Sequence, residues 1–154
     1  MRPLLLLSSF LIVLGCGSKK YAKLLDPTTN TVEVSLDRSP CYGTCPVYSV
    51  NFNLSTKEAR FKGLKFTRLS GERTFTLTNE EVSSILDGLK NCDYLSLSDS
   101  YDGAISDIPS CSTALIVNGE KLKGVYNRFE GPDALLIFET HLDNIVITHL
   151  GSIK

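Results

Sequence analysis

The chain has 154 residues, of which 42% are hydrophobic and 21% charged, and this composition fits one globular domain rather than two. The formal net charge is −1, and the sequence lacks any cluster of Arg and Lys residues with interleaved aromatic residues. Both features argue against a partner with a phosphate backbone, so we expect no nucleic-acid binding.

The N-terminus is typical of an export signal. Met1-Arg2 supplies positive charge, and residues 4–14 form an apolar run interrupted only by two serines. The run is shorter than the roughly 20 apolar residues that span a bilayer, so it indicates a secretory signal rather than a transmembrane helix. We predict a signal peptide over residues 1–15.

The residues that close this signal, Val13-Leu14-Gly15-Cys16, resemble the lipobox of bacterial lipoproteins, although Leu14 departs from the small residue usual there. The resemblance implies that Cys16 becomes the N-terminus and carries lipid, including palmitate, in a membrane of the bacterial cell envelope. Gly17 after the cysteine favours the outer membrane. The alternative is an ordinary cleaved signal that leaves Cys16 as a free thiol.

Residues 16–31 mix Lys, Pro, Thr and Asn without a clear period, which predicts a flexible tether before a single domain at residues 32–154. Within that domain, apolar and polar residues alternate, and this pattern predicts an antiparallel sheet with one wetted face. The predicted strands span residues 32–37, 48–54, 59–66, 74–77, 113–117 and 121–126. Gly63 interrupts the third of them and indicates a bulge or a bend.

Two helices are predicted. Thr78 and Glu81 have the spacing of a capping box and begin the first helix. Residues 131–133, Gly-Pro-Asp, begin the second helix, because proline is well tolerated in a first helical turn. The buried stripe of this second helix is predicted to contain Leu135, Phe138, Leu142 and Ile145.

Between the two helices, Asn118-Gly119 is the signal of a tight hairpin. The order is therefore strands, helix, hairpin, helix, which defines the α+β class. We expect an antiparallel sheet of about five to six strands packed with two helices.

Residues 41–46, CYGTCP, separate two cysteines by three residues and lead directly into a predicted strand. Gly43 permits the positive φ that brings the Cα atoms of Cys41 and Cys45 within disulfide range, so we interpret the pair as a structural staple. The alternative is a redox pair, which would need a thiolate stabilised by a feature such as a helix N-terminus.

Four cysteines remain when Cys16 is set aside, and cysteines of exported proteins tend to form disulfides. Four cysteines allow three connectivities. We predict the bonds Cys41–Cys45 and Cys92–Cys111. The second pairing is chosen because Cys92 ends the first predicted helix on its buried face and Cys111 begins the next strand.

The cysteine segment and several residues downstream of it resemble an uncharacterised bacterial domain family that is often found on lipoproteins and is marked by Cys-x-Gly-x-Cys-Pro. The resemblance covers about residues 32–143. Besides the two cysteines, the residues that carry it are Tyr42, Gly43, Pro46, Asp107, Pro109, Lys123 and Val125. The family has no assigned activity, so the resemblance implies a domain and not a mechanism.

The sequence contains no nucleophile elbow, Walker element or dinucleotide-binding glycine motif. His141 and His149 lack the spacing of zinc ligands, and the loop with Asp99, Asp102 and Asp107 misses the EF-hand pattern. We therefore predict no catalytic residue, no metal and no cofactor, and we favour a protein that is not an enzyme.

Two functions are consistent with the sequence. The first is a lipid-anchored, non-enzymatic binding or interaction module of the bacterial envelope, with an envelope protein or a glycan as its partner. The second is a thiol-disulfide redox protein or sensor that uses Cys41 and Cys45. A reduction potential below about −300 mV would mark a structural bond, whereas roughly −270 to −180 mV would favour redox work.

Overall fold

The computed structural model describes residues 21–103 and 107–153. These residues form one sheet of seven strands, which are β1 (Val32–Arg38), β2 (Val47–Asn53), β3 (Glu58–Lys65), β4 (Gly71–Thr76), β5 (Ser100–Asp102), β6 (Cys111–Val117) and β7 (Glu120–Arg128). Their order across the sheet is β4-β3-β2-β1-β6-β7-β5. Neighbouring strands are antiparallel except β5 and β7, which run parallel.

The helical elements whose bounds the structure gives are α1 (Asn79–Asn91), a 3₁₀ helix (Tyr94–Ser96) and α2 (Asp133–Leu150). The predicted capping box is present, since the Thr78 side chain accepts from the Glu81 N–H and the Glu81 carboxylate accepts from the Thr78 N–H. Residues 21–24 are also helical. The predicted α+β class is confirmed.

One face of the sheet packs against the helices, and the other is open, as the alternation predicts. On β2 every second residue is buried, and the inward side chains of strands and helices share one hydrophobic core. The intervening residues, such as Ser35, Asn51 and Ser112, are partly exposed. Polar residues can occupy that second face because water satisfies their hydrogen bonds.

The predicted turn chemistry is also present. Asn118 and Gly119 both have positive φ, 53° and 81°, which suits the two-residue turn between β6 and β7. The register between β2 and β3 shifts where Gly63 pairs with Tyr48. A Cβ atom at Gly63 would collide with the Leu69 carbonyl oxygen, so this bulge requires glycine.

The expected count of five to six strands and two helices is only roughly right. None of the six strands expected from the sequence corresponds to β5, which pairs with β7 through Ser100 and Tyr126. A strand of three residues is too short for alternation to reveal it. The 3₁₀ helix also has only three residues, which are too few for a helical pattern to reveal it, and it follows α1 almost directly.

Residues 21–31, which the sequence assigns to a flexible tether, pack against the domain in the structure. Leu25 is 2% exposed and belongs to the core. The Tyr21 hydroxyl donates to the Leu89 carbonyl oxygen at 3.2 Å, and the Asn118 side-chain amide donates to that of Asn30 at 3.0 Å. The packed unit therefore includes residues before 32.

The predicted signal peptide, Cys16 and the first part of the predicted tether lie outside the described residues. In the part of the chain that the structure describes, no helix combines the length and apolar character needed to cross a membrane.

Candidate functional site

A cleft of about 330 Å³ opens at one end of the sheet, where β1 and β7 finish and β2 and β6 begin. α2 forms its opposite wall. The polar side chains that line it are Arg38, Tyr48, Glu139, Thr140 and Asp143. The remaining lining residues are Cys45, Pro46, Pro109, Phe129 and Leu136. A mainly apolar cleft with a few convergent polar groups is the usual form of a small-molecule site.

The floor of the cleft is an ion pair that joins the sheet to α2. Arg38 Nη2 donates to Asp143 Oδ2 at 2.5 Å, and each side chain is 20% exposed. The Tyr48 hydroxyl donates to the other oxygen of the Asp143 carboxylate. Burial and then the Asp143 charge raise the pKa of Tyr48, so this phenol stays protonated as a donor.

Glu139 lies one turn before Asp143 on α2 and is 2% exposed. The Asn127 amide nitrogen donates to both carboxylate oxygens at 3.1 Å, and Arg38 Nη1 lies 4.0 Å from Oε2. Burial raises the pKa of Glu139 to about 7, although the Asn127 hydrogen bond and the Arg38 charge act in the opposite direction. Glu139 is therefore protonated at mildly acidic pH and about half ionised near neutrality.

The rim of the cleft carries a strained and exposed aromatic residue. Phe129 follows β7 with φ of 59° and is 59% exposed. Positive φ is unfavourable for a bulky side chain, and a ring left in water gives little burial energy in return. Strained residues of this kind are concentrated at binding and active sites. Phe66 shares the exposure and the positive φ but does not line the cleft, so the position of Phe129 at the cleft is what points to a functional role there.

The loop that leads into β2 contains the Cys41–Cys45 disulfide, with Cα atoms 5.7 Å apart. Gly43 has φ of 142°, the positive value that the sequence predicts. After Cys45 the chain passes through Pro46 into strand β2, so no helix N-terminus follows the pair. This setting favours a structural bond over a stabilised thiolate.

Cys92 and Cys111 are free and buried, so the predicted bond between them is wrong. The Cys92 thiol donates to the Leu89 carbonyl oxygen at 3.7 Å, within the last turn of α1. Cys111 instead lies beside the carboxylate of Glu139 and the charge of Arg38. Burial raises the pKa of both thiols, that of Cys92 to about 11, so neither is an activated nucleophile.

The other residues of the sequence motif do not all lie at the cleft. Tyr42 is 91% exposed, and its N–H donates to the Asp107 carbonyl oxygen at 3.2 Å, which connects the disulfide loop to the segment before β6. Pro46 lines the cleft. Lys123 does not line it, because its Nζ pairs with Asp99 at 2.6 Å on a separate groove of the sheet.

Sequence reasoning missed the polar floor of the cleft. Arg38 and Asp143 are 105 positions apart, and Tyr48 and Asp143 are 95 apart, so no local pattern connects them. One signal was available, since Glu139 falls on the buried stripe of α2. A carboxylate at such a position is costly to bury unless it is paired.

The two histidines connect the helices. His141 Nε2 lies 2.8 Å from the Ser84 hydroxyl, and His149 Nε2 lies 2.9 Å from the Glu81 carboxylate. Within residues 21–103 and 107–153, no group of three or more His, Cys, Asp or Glu side chains is arranged to hold a metal ion.

Fold and cleft together define an α+β domain with a candidate binding site at one end of its sheet and no assigned activity. Residues 32–146 match the family described as Domain of unknown function (DUF6438), and the chain belongs to this family. No curated protein matches the chain. The expectation of an uncharacterised domain family is confirmed, whereas the lipoprotein association and the cysteine signature stay predictions.

Proposed function

We propose that the chain is a lipid-anchored protein of the bacterial cell envelope, and that its domain is a non-enzymatic binding module with the cleft as its binding site. The observation that carries the proposal is Phe129, a ring exposed at the rim in a left-handed backbone conformation. A ligand that covers the ring would bury apolar surface and offset the conformational cost.

The chemistry of the floor supports binding rather than catalysis. Asp143 is engaged by Arg38 and Tyr48, and Glu139 is held by Asn127. Cys111 lies beside the Glu139 carboxylate, but burial raises the pKa of its thiol, so it is not an activated nucleophile. The groups of the cleft thus form a firm polar surface on which a ligand can be oriented.

The position of the cleft suits a protein anchored through its N-terminus. Thr31 and Asn30 lie where β1 begins, bonded to Asn118, whereas Arg38 ends β1 at the cleft. Seven extended residues span roughly 20 Å. The chain that leads back toward Cys16 therefore leaves β1 at the strand end opposite the cleft.

A sedimentation assay tests the proposed function. The purified full-length protein, in detergent, is mixed with isolated peptidoglycan sacculi or with bead-coupled outer-membrane proteins over a range of concentrations. Phe129→Ala is the cleft variant. Phe66→Ala is its matched control, because Phe66 is also exposed, at 44%, also has positive φ, 55°, and does not line the cleft.

We expect saturable cosedimentation with one of the two materials, weakened in Phe129→Ala and unchanged in Phe66→Ala. Two outcomes would overturn the proposal. Either no saturable binding to sacculi or to the bead-coupled proteins occurs, or the two variants bind like the wild type, which would place the binding surface away from the cleft.

A further inference from the structure

We infer that the cleft binds the terminal sugar of a neutral glycan. The inference rests on the proposed function, because it assigns a ligand class to the same cleft. It follows from the charge of the floor, its mixture of donors and acceptors, the exposed ring at the rim and the strands that surround the site.

The charge of the floor disfavours a strongly charged ligand. Arg38 and Asp143 neutralise each other at 2.5 Å. Glu139 adds at most one further negative charge, and burial keeps it partly protonated near neutrality. A cationic or anionic ligand would therefore meet little net opposite charge, and it would lose its hydration without compensation.

The floor offers donors and acceptors side by side. Arg38 carries five N–H donors, of which one hydrogen-bonds Asp143. The Asp143 carboxylate accepts from Arg38 and Tyr48 and has further lone pairs. The exposed Thr140 hydroxyl can both donate and accept. Sugar hydroxyls also donate and accept at once, so an ion pair beside a hydroxyl is chemically complementary to them.

The rim supplies the apolar half of the site. Phe129 is 59% exposed, and it lines the cleft together with Pro46 and Pro109. The face of an aromatic ring is electronegative, and it attracts the weakly positive C–H groups that form one face of a pyranose. A sugar could therefore stack on Phe129 and direct its hydroxyls to the floor.

The topology argues against a peptide in the same place. β1, β2, β6 and β7 end or begin at the cleft, and all four are interior strands of the sheet. Their backbone groups are already paired on both sides, so a peptide cannot add itself as a further strand there. The volume of about 330 Å³ lies at the lower end of ligand clefts, which suits one terminal sugar rather than a long chain.

Ligand-observed NMR tests the inference with the full-length protein in detergent. The neutral probes are the methyl glycosides of glucose, galactose, mannose and N-acetylglucosamine. Methyl glucuronide is the charged comparison, and trialanine is the peptide comparison. Each probe is measured with the wild type, Phe129→Ala and Phe66→Ala.

We expect at least one neutral glycoside to bind, with affinity about tenfold weaker in Phe129→Ala and unchanged in Phe66→Ala. The inference is overturned if no neutral glycoside binds, or if Phe129→Ala binds it like the wild type. Trialanine binding that depends on Phe129, without glycoside binding, would overturn the glycan class while the cleft still bound a ligand. Failure of the sedimentation assay as well would overturn the proposed function itself.

Discussion

Arg38 at the end of β1 and Asp143 on α2 form an ion pair of 2.5 Å between residues 105 positions apart in the chain. Tyr48 at the start of β2 donates to the same carboxylate. One side chain of the helix thus holds the ends of two adjacent strands. The cleft has its shape because this contact fixes α2 against the end of the sheet.

Asp143→Ala should lower the free energy of unfolding by about 3 kcal/mol, because it leaves the partly buried Arg38 and Tyr48 without their partner. Urea denaturation followed by circular dichroism measures the change. Glu72→Ala is the control, since its ion pair with Lys62 is largely exposed and should contribute far less. Equal losses in the two variants would contradict a special role for Asp143.

The raised pKa of Glu139 should make the stability of the fold depend on pH. The pKa of this carboxyl is about 4.5 in an unfolded chain and about 7 in the fold, chiefly because of burial. The folded state therefore holds the proton more tightly. The proton on Glu139 adds about 3 kcal/mol to the free energy of unfolding below about pH 4.5, and this contribution is lost as pH rises through 7.

Glu139→Gln removes this titration while it keeps an oxygen that can accept from Asn127. Between pH 5 and 8 the wild type should lose about 2 to 3 kcal/mol relative to the variant, measured by urea denaturation at each pH. A constant difference between the two proteins across this range would show that Glu139 does not titrate there.

The Cys41–Cys45 disulfide is expected to stabilise the fold. Replacement of both Cys41 and Cys45 by serine should lower the free energy of unfolding by about 2 kcal/mol, since a short loop is released in the unfolded chain. The wild type in reducing agent is the matched control and should melt like the variant. A double variant as stable as the oxidised wild type would instead favour a redox role for the pair.

The lipid anchor is a separate prediction. Cys16→Ala should move the protein to the soluble periplasmic fraction or leave an uncleaved precursor, because acyl chains at about 0.8 kcal/mol per buried methylene account for stable anchoring. Fractionation and the mass of the mature chain measure the result. A membrane-bound and correctly processed variant would contradict lipidation.

Local patterns were sufficient for most of the fold. The capping box at Thr78, the hairpin at Asn118-Gly119 and the bulge at Gly63 each depend on neighbours within a few positions, and each is present. Leu25 shows the limit of such patterns. It lies in a segment without a period, and only tertiary packing makes it a core residue.

Less of the candidate site than of the fold could be predicted from the sequence. Cys41 and Cys45 are close in the chain, and their pairing could be predicted from spacing and Gly43. The free state of Cys92 and Cys111 could not be predicted from spacing, because it depends on tertiary packing. The Cys92 thiol contacts the Leu89 carbonyl, whereas Cys111 lies beside Glu139. The same holds for Arg38, which meets Asp143 only after the sheet and α2 have packed together.

Photocrosslinking at the cleft in living cells tests most directly whether the cleft is the binding site. A photoreactive phenylalanine analogue is incorporated at position 129 of the full-length chain, or at position 66 as the matched exposed site. If the cleft is the binding site, covalent adducts with envelope components, identified by mass, form from position 129 and not from position 66. Adducts from neither position, or equal adducts from both, would contradict the claim that the cleft is the binding site.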